Sequence, residues 1–128
     1  MRSESVSNKL NIFHSTFKHP VDIDYPSPST TVDKTLTLRR KLIEEEYNEV
    51  IHAIETKKAN KVLKELCDLV YVCVGMATTY GWDFDTAFNR VHASNMSKLD
   101  DEGNPVYNKD GKVIKSKNYV PPKLNDLV

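Results

Sequence analysis

Apolar positions along the chain recur with helical rather than strand-like spacing. Val6, Leu10, Phe13 and Phe17 fall at i, i+4, i+7 and i+11, which predicts an amphipathic helix that Pro20 ends. A connection rich in Pro, Ser and Thr (residues 26–31) leads to Asp33, a residue type that caps helix N-termini. The second helix is expected from there to about Lys57. Leu36, Ile43, Tyr47, Val50, Ile51 and Ile54 make its apolar face, and Leu42, Glu46, Glu49 and Ala53 form a second, half-apolar stripe. A third helix over roughly Asn60 to Tyr80 is apolar nearly all round, the mark of burial on several sides, and Gly81 is a natural stop. A fourth runs from Asp83 to about Lys98, with Phe84, Ala87, Phe88, Val91 and Met96 as its apolar set.

Short loops between helices favour antiparallel neighbours. The expected fold is therefore all-α, a bundle of four to five helices in a single domain over residues 1–128. The tail differs: NPVYNKDGKVIK places β-prone stretches on both sides of Lys109-Asp110-Gly111 and predicts a short C-terminal β-hairpin. Phe17 is read as core, and Tyr80 and Trp82 as packing at a helix end.

Composition narrows the partners. Lys plus Arg and Asp plus Glu number 18 each, so net charge supports neither a nucleic-acid nor a membrane partner, and no groove-reading motif occurs. The balance hides a polarity. Residues 44–55 carry five glutamates and no lysine or arginine, whereas six lysines lie from Lys98 onward. The longest apolar run, Leu66 to Ala77, is too short for a bilayer and contains Asp68. MRSESVSNKL has no apolar stretch of the secretory kind. Cys67 and Cys73 point to different sides of one helix, and two buried free thiols fit a reducing cytoplasm.

The chemistry rests on carboxylates. Glu46 and Glu49 are three apart, as are Glu65 and Asp68, so each pair lies on one side of its helix. If the second and third helices pack antiparallel, the two clamps face each other. Four clustered carboxylates repel, and oxygen-only donors select a hard cation, Mg²⁺ or else Mn²⁺. Taken alone, the Glu44–Glu49 stretch also fits a solvated helix face, and Asp68 also fits a buried acid bonded to Tyr, His or Arg. The joint pattern favours the metal.

Glu45-Glu46-x-x-Glu49 followed by Glu65-x-x-Asp68 resembles the EExxE…ExxD signature of the all-α nucleotide pyrophosphohydrolases, among them MazG, dimeric dUTPases, dCTP pyrophosphatases and phosphoribosyl-ATP pyrophosphohydrolase. FHSTFKHP before the signature and VHASNMSKLDDEGNPVYNKDGKVIKSKNYVPPKL after it are similar to the small MazG-like proteins, so the likeness covers most of the chain. Three consecutive acids, Glu44 to Glu46, stand where the pattern has two; Glu46 is kept in register because its i+3 partner is Glu49.

The resemblance implies a homodimer or dimer of dimers that hydrolyses (deoxy)nucleoside triphosphates to the monophosphate and pyrophosphate with Mg²⁺, as nucleotide-pool house-cleaning. It implies Glu46, Glu49, Glu65 and Asp68 as metal ligands. Glu45 would be an auxiliary acid that either holds a further metal or orients the attacking water, and Glu45, Glu46 and Glu49 make up the catalytic set. Asn95 and Lys98 at the end of the fourth helix are candidates for phosphate contact, Lys112 and Lys115 in the tail for closing over it, and His14 for the base. Lys98 is also read as complementing a helix dipole, and Lys112 and Lys115 as solvated. Two other functions fit: phosphoribosyl-ATP hydrolysis in histidine biosynthesis, and a non-catalytic helical dimerisation or regulatory module.

Overall fold

Most helix boundaries have a local chemical cause. The Ser5 hydroxyl accepts the Asn8 N–H and opens α1 (Val6–Phe17), which Lys18 closes in the left-handed conformation. Asp33 accepts the Leu36 N–H at 2.8 Å and opens α2 (Lys34–Thr56), as its sequence position predicts. α3 (Ala59–Thr79) begins after only Lys57 and Lys58 and has no side-chain cap. Asp83 caps α4 (Phe84–Met96) through the Thr86 N–H and hydroxyl. A 3₁₀ turn, Asn125–Leu127, follows near the end. These elements come from a computed structural model that describes residues 5–128; the secretory-segment reading of the N-terminus falls partly on residues 1–4, outside the described ones.

The fold is all-α, and no described helix is long and apolar enough to cross a membrane. The chain divides into two compact units, Met1–Trp82 and Asp83–Val128.

In the first unit the two-residue connection folds α3 back along α2, and α1 also packs on α3. Leu10, Val50, Ala53, Val74, Ala77 and Tyr80 are its buried apolar residues. At Gly75 the three helices approach closely: a Cβ there would lie 2.9 Å from Arg39 Nη1, 3.3 Å from His14 Nε2 and 3.6 Å from Leu10 Cδ1. Tyr25, Tyr80 and Trp82 cluster at the end of α3, with Tyr80 and Trp82 ring centroids 5.4 Å apart. That is the packing role expected of the latter two.

Several burial expectations fail, those on α3 because α1 and α2 cover only part of it. Leu63, Leu66 and Val70 on α3 remain exposed, Leu63 by 64%. Cys67 is exposed and Cys73 only half-buried, so the pair of buried thiols is not found. Burial still pushes the Cys73 thiol pKa up. On α2, Tyr47, Ile51 and Ile54 of the expected apolar face lie open, while Arg39, Val50 and Ala53 are buried and Glu46 is half-buried between them. Phe17, expected in the core, is 62% exposed, though its ring lies against Phe13.

In the second unit the tail is tied to α4. The Ser94 hydroxyl donates to the Val120 carbonyl at 2.7 Å, and the Val120 N–H donates to the Ser97 hydroxyl at 2.8 Å. Arg90 forks onto both oxygens of Asp126 and also donates to the Lys123 carbonyl. The predicted β-hairpin is reduced to a turn with one antiparallel bridge, Tyr107 to Val113. Turn chemistry is present: Gly111 is left-handed, and Asn108 Oδ1 accepts the N–H groups of Asp110 and Lys112. What is missing is cover. Tyr107, Val113 and Ile114 are exposed, and an isolated pair of strands without a packed face is marginal in water.

Candidate functional site

Helical geometry and the tight connection bring three acids from two helices to one place. Glu46 sits on the buried stripe of α2, and Glu65 and Asp68 stand one turn apart on α3. One carboxylate oxygen from each lies within 4.8 Å of the others, and all three residues are half-buried. The fourth expected ligand, Glu49, is exposed and outside this trio; it lines a neighbouring pocket of about 360 Å³ with Glu65. Glu45 is exposed on α2.

The electrostatics follow from this crowding. Partial burial raises the Glu46 pKa above the ordinary carboxylate value, and the negative charges of Asp68, Glu65 and Glu49 push it further. Lys64 pulls the other way. Its ammonium lies 2.6 Å from Asp68 Oδ2 and 3.5 Å from Glu65 Oε1. The bond to Asp68 holds the Lys64 pKa above its usual value. Glu46 itself is in no salt bridge among the described residues. Three carboxylates on separate side chains suit a hard, oxygen-preferring divalent cation, whose ligands stand about 3–4 Å apart at Mg–O distances near 2.1 Å; small side-chain rotations span the difference.

His14 does not present itself to a substrate. Its ring is 1% exposed, and Nδ1 is hydrogen-bonded to the Pro20 carbonyl at 3.1 Å. The candidate base contact is thus a core histidine: the helix face it shares with Leu10 is the one that α1 turns toward Gly75. Burial lowers its pKa. Asn95, Lys98, Lys112 and Lys115 all belong to the second unit. Asn95, Lys112 and Lys115 are exposed there, Lys98 is half-buried, and the Lys115 ammonium lies 4.5 Å from the Tyr119 ring centre. Sequence reasoning passed over Lys64, although its i,i+4 spacing to Asp68 is the signal for such a pair. It also passed over His52, Asn60 and Lys61, which line the pocket beside the acids.

Paired acids on the seam of a helical hairpin in an all-α chain agree with the class that the sequence resembles, the helical pyrophosphohydrolases. The family model described as phosphoribosyl-ATP pyrophosphohydrolase matches residues 10–95, well over half of the chain, and the chain belongs to that family. The matched region holds all five signature acids, Glu45, Glu46, Glu49, Glu65 and Asp68. Among curated proteins, an uncharacterized protein of Acanthamoeba polyphaga mimivirus is 26% identical over 117 residues. The match takes in 89% of this chain and 44% of the viral protein, so the chain spans less than half the length of that relative.

Proposed function

We propose that the protein hydrolyses a nucleoside triphosphate to the monophosphate and pyrophosphate with Mg²⁺, or Mn²⁺ in its place. The observation that carries this reading is the convergence of Glu46, Glu65 and Asp68 across the α2–α3 seam, in a family described as a pyrophosphohydrolase. These three would hold the cation, with Glu49, a turn beyond Glu46, as the remaining arm of the clamp. When bound, such a cation neutralises charge on the phosphates and lowers the pKa of attacking water. Glu45, with Glu49, is assigned the positioning of that water and the acceptance of its proton.

Incubation with a panel of nucleotides, with and without Mg²⁺, tests the proposal. Pyrophosphate and monophosphate should appear together, only with the metal, and Asp68→Asn should abolish both. Alanine variants of Asn95, Lys98, Lys112 and Lys115 in the same assay test the phosphate contacts expected of them. The family description favours a second reading, phosphoribosyl-ATP hydrolysis. Product from that substrate alone would establish it, and no product from any substrate would leave the non-catalytic module.

We propose also that the chain self-associates. Val6, Leu66, Val70 and Tyr71 present apolar surface along a groove between α1 and α3, and a second copy would remove it from water. Sedimentation should then report a dimer or tetramer. A reducing cytoplasm suits the exposed Cys67 thiol.

A further inference from the structure

Lys64 sits where a metal ion would have to compete with it. Its ammonium contacts two of the three carboxylates, Asp68 and Glu65, and its side chain is 67% exposed. A solvated lysine on a four-carbon stem moves freely, and an exposed ion pair is weak. A divalent ion gripped by the same carboxylates outbids a single ammonium. Displacement has a defined destination. Lys64 also lines the adjoining pocket with Lys61, His52 and Asn60, and Lys61 stands one helical turn before it on α3. Swung off Asp68, the Lys64 ammonium would join the Lys61 ammonium in a pocket that His52, Asn60 and Thr56 also line; Glu49 and Glu65, which border it too, are acids whose charge the cation would neutralise. Two ammonium groups so placed repel until an anion lies between them, and phosphate oxygens are what such donors bind.

We infer that Lys64 is an exchangeable counter-ion: it holds Asp68 and Glu65 while the cation is absent and, once displaced, forms with Lys61 an anion-receiving wall for the substrate's phosphates. The inference rests on the reading of the acidic trio as a divalent-cation site. It makes cation and phosphate binding mutually supportive. Metal frees Lys64 for phosphate, and phosphate holds Lys64 away from the carboxylates that grip the metal. Linkage requires the two effects to be equal.

Titration of the full chain with Mn²⁺ alone, by calorimetry, tests the exchange. Lys64→Met should tighten Mn²⁺ about two- to fivefold, the worth of an exposed ion pair. Lys61→Met should change it less, because the Lys61 ammonium pairs with none of the three acids. With Mn²⁺ saturating, inorganic tripolyphosphate added as its Mn²⁺ complex should bind about tenfold more weakly to either variant, the loss of one hydrogen bond between charged groups. Lys64→Gln serves as a second variant, and unchanged circular dichroism confirms that each is folded. Parent protein that binds Mn²⁺, together with Lys64 variants that leave its affinity unchanged or weaken it, overturns the exchange alone. An unchanged tripolyphosphate affinity overturns the anion wall. Parent protein that binds no Mn²⁺ overturns both the inference and the metal reading beneath it.

Discussion

Neutralising Glu46 should stabilise the metal-free protein while removing its response to metal. The Glu46 carboxylate faces those of Glu65 and Asp68 at no more than 4.8 Å. Two unit charges at that distance repel by about 1 kcal/mol in water and roughly 3 kcal/mol at an effective permittivity near 20. Glu46 is only half-buried, which puts each repulsion near the lower figure, and Lys64 offsets part of the sum. Glu46→Gln keeps the shape of the side chain and deletes both repulsions, for a net gain of about 1 kcal/mol. For a domain of this size that is a rise of roughly 3–5 °C in melting temperature. The direction of the Glu46 pKa agrees in sign. A carboxyl raised by folding favours the fold when protonated, and that contribution is lost as pH rises through the raised pKa, so at neutral pH the ionised group burdens the metal-free fold. Thermal melts in EDTA and in several millimolar Mg²⁺ give the test. The parent should melt higher with Mg²⁺ than with EDTA. The variant should start higher in EDTA and gain little from Mg²⁺. A variant that melts lower than the parent in EDTA, or gains as much from Mg²⁺, would refute the repulsion argument.

Three other outcomes are expected. Gly75→Val should cost about 2–3 kcal/mol by overpacking against Arg39 and His14, read as a lower urea midpoint at unchanged slope. Leu10→Ala, at a side chain that is almost wholly buried, should cost about 2–5 kcal/mol in the same measurement. Acidification should weaken the fold through His14: its folded pKa lies below 6.5, so the stability is whole above 6.5 and falls with pH below it, as the unfolded chain takes up a proton that the folded one refuses. Urea midpoints between pH 7.5 and 5.5 should therefore drop more for the parent than for His14→Gln.

Much of this architecture was readable residue by residue. Asp33 and Asp83 marked two helix starts because a capping carboxylate acts within three residues, a range that sequence alone resolves. The i,i+3 spacing placed each acid pair on one side of its helix, and the short connection allowed the pairs to meet. Burial was less readable, since it depends on which partner covers which face. Ile51 and Ile54 are as apolar as Val50, yet only Val50 is buried. His14 and Phe17 lie one turn apart on α1, and the polar one is inside because Gly75 makes room beside it. In the tail, turn residues specified the turn at Asn108–Gly111, but nothing in that stretch supplied a surface for strands to pack on. Lys64 escaped notice because a lone lysine amid acids reads as ordinary surface charge until the carboxylates are seen to converge.

The brevity of the Lys57–Lys58 connection sets how this region can change over evolutionary time. An inserted residue there would let α3 leave α2 in a different setting and carry Glu65 and Asp68 away from Glu46. Natural length variation should accordingly be absent at this corner and concentrated in segments such as residues 26–31, where an added residue shifts no ligand.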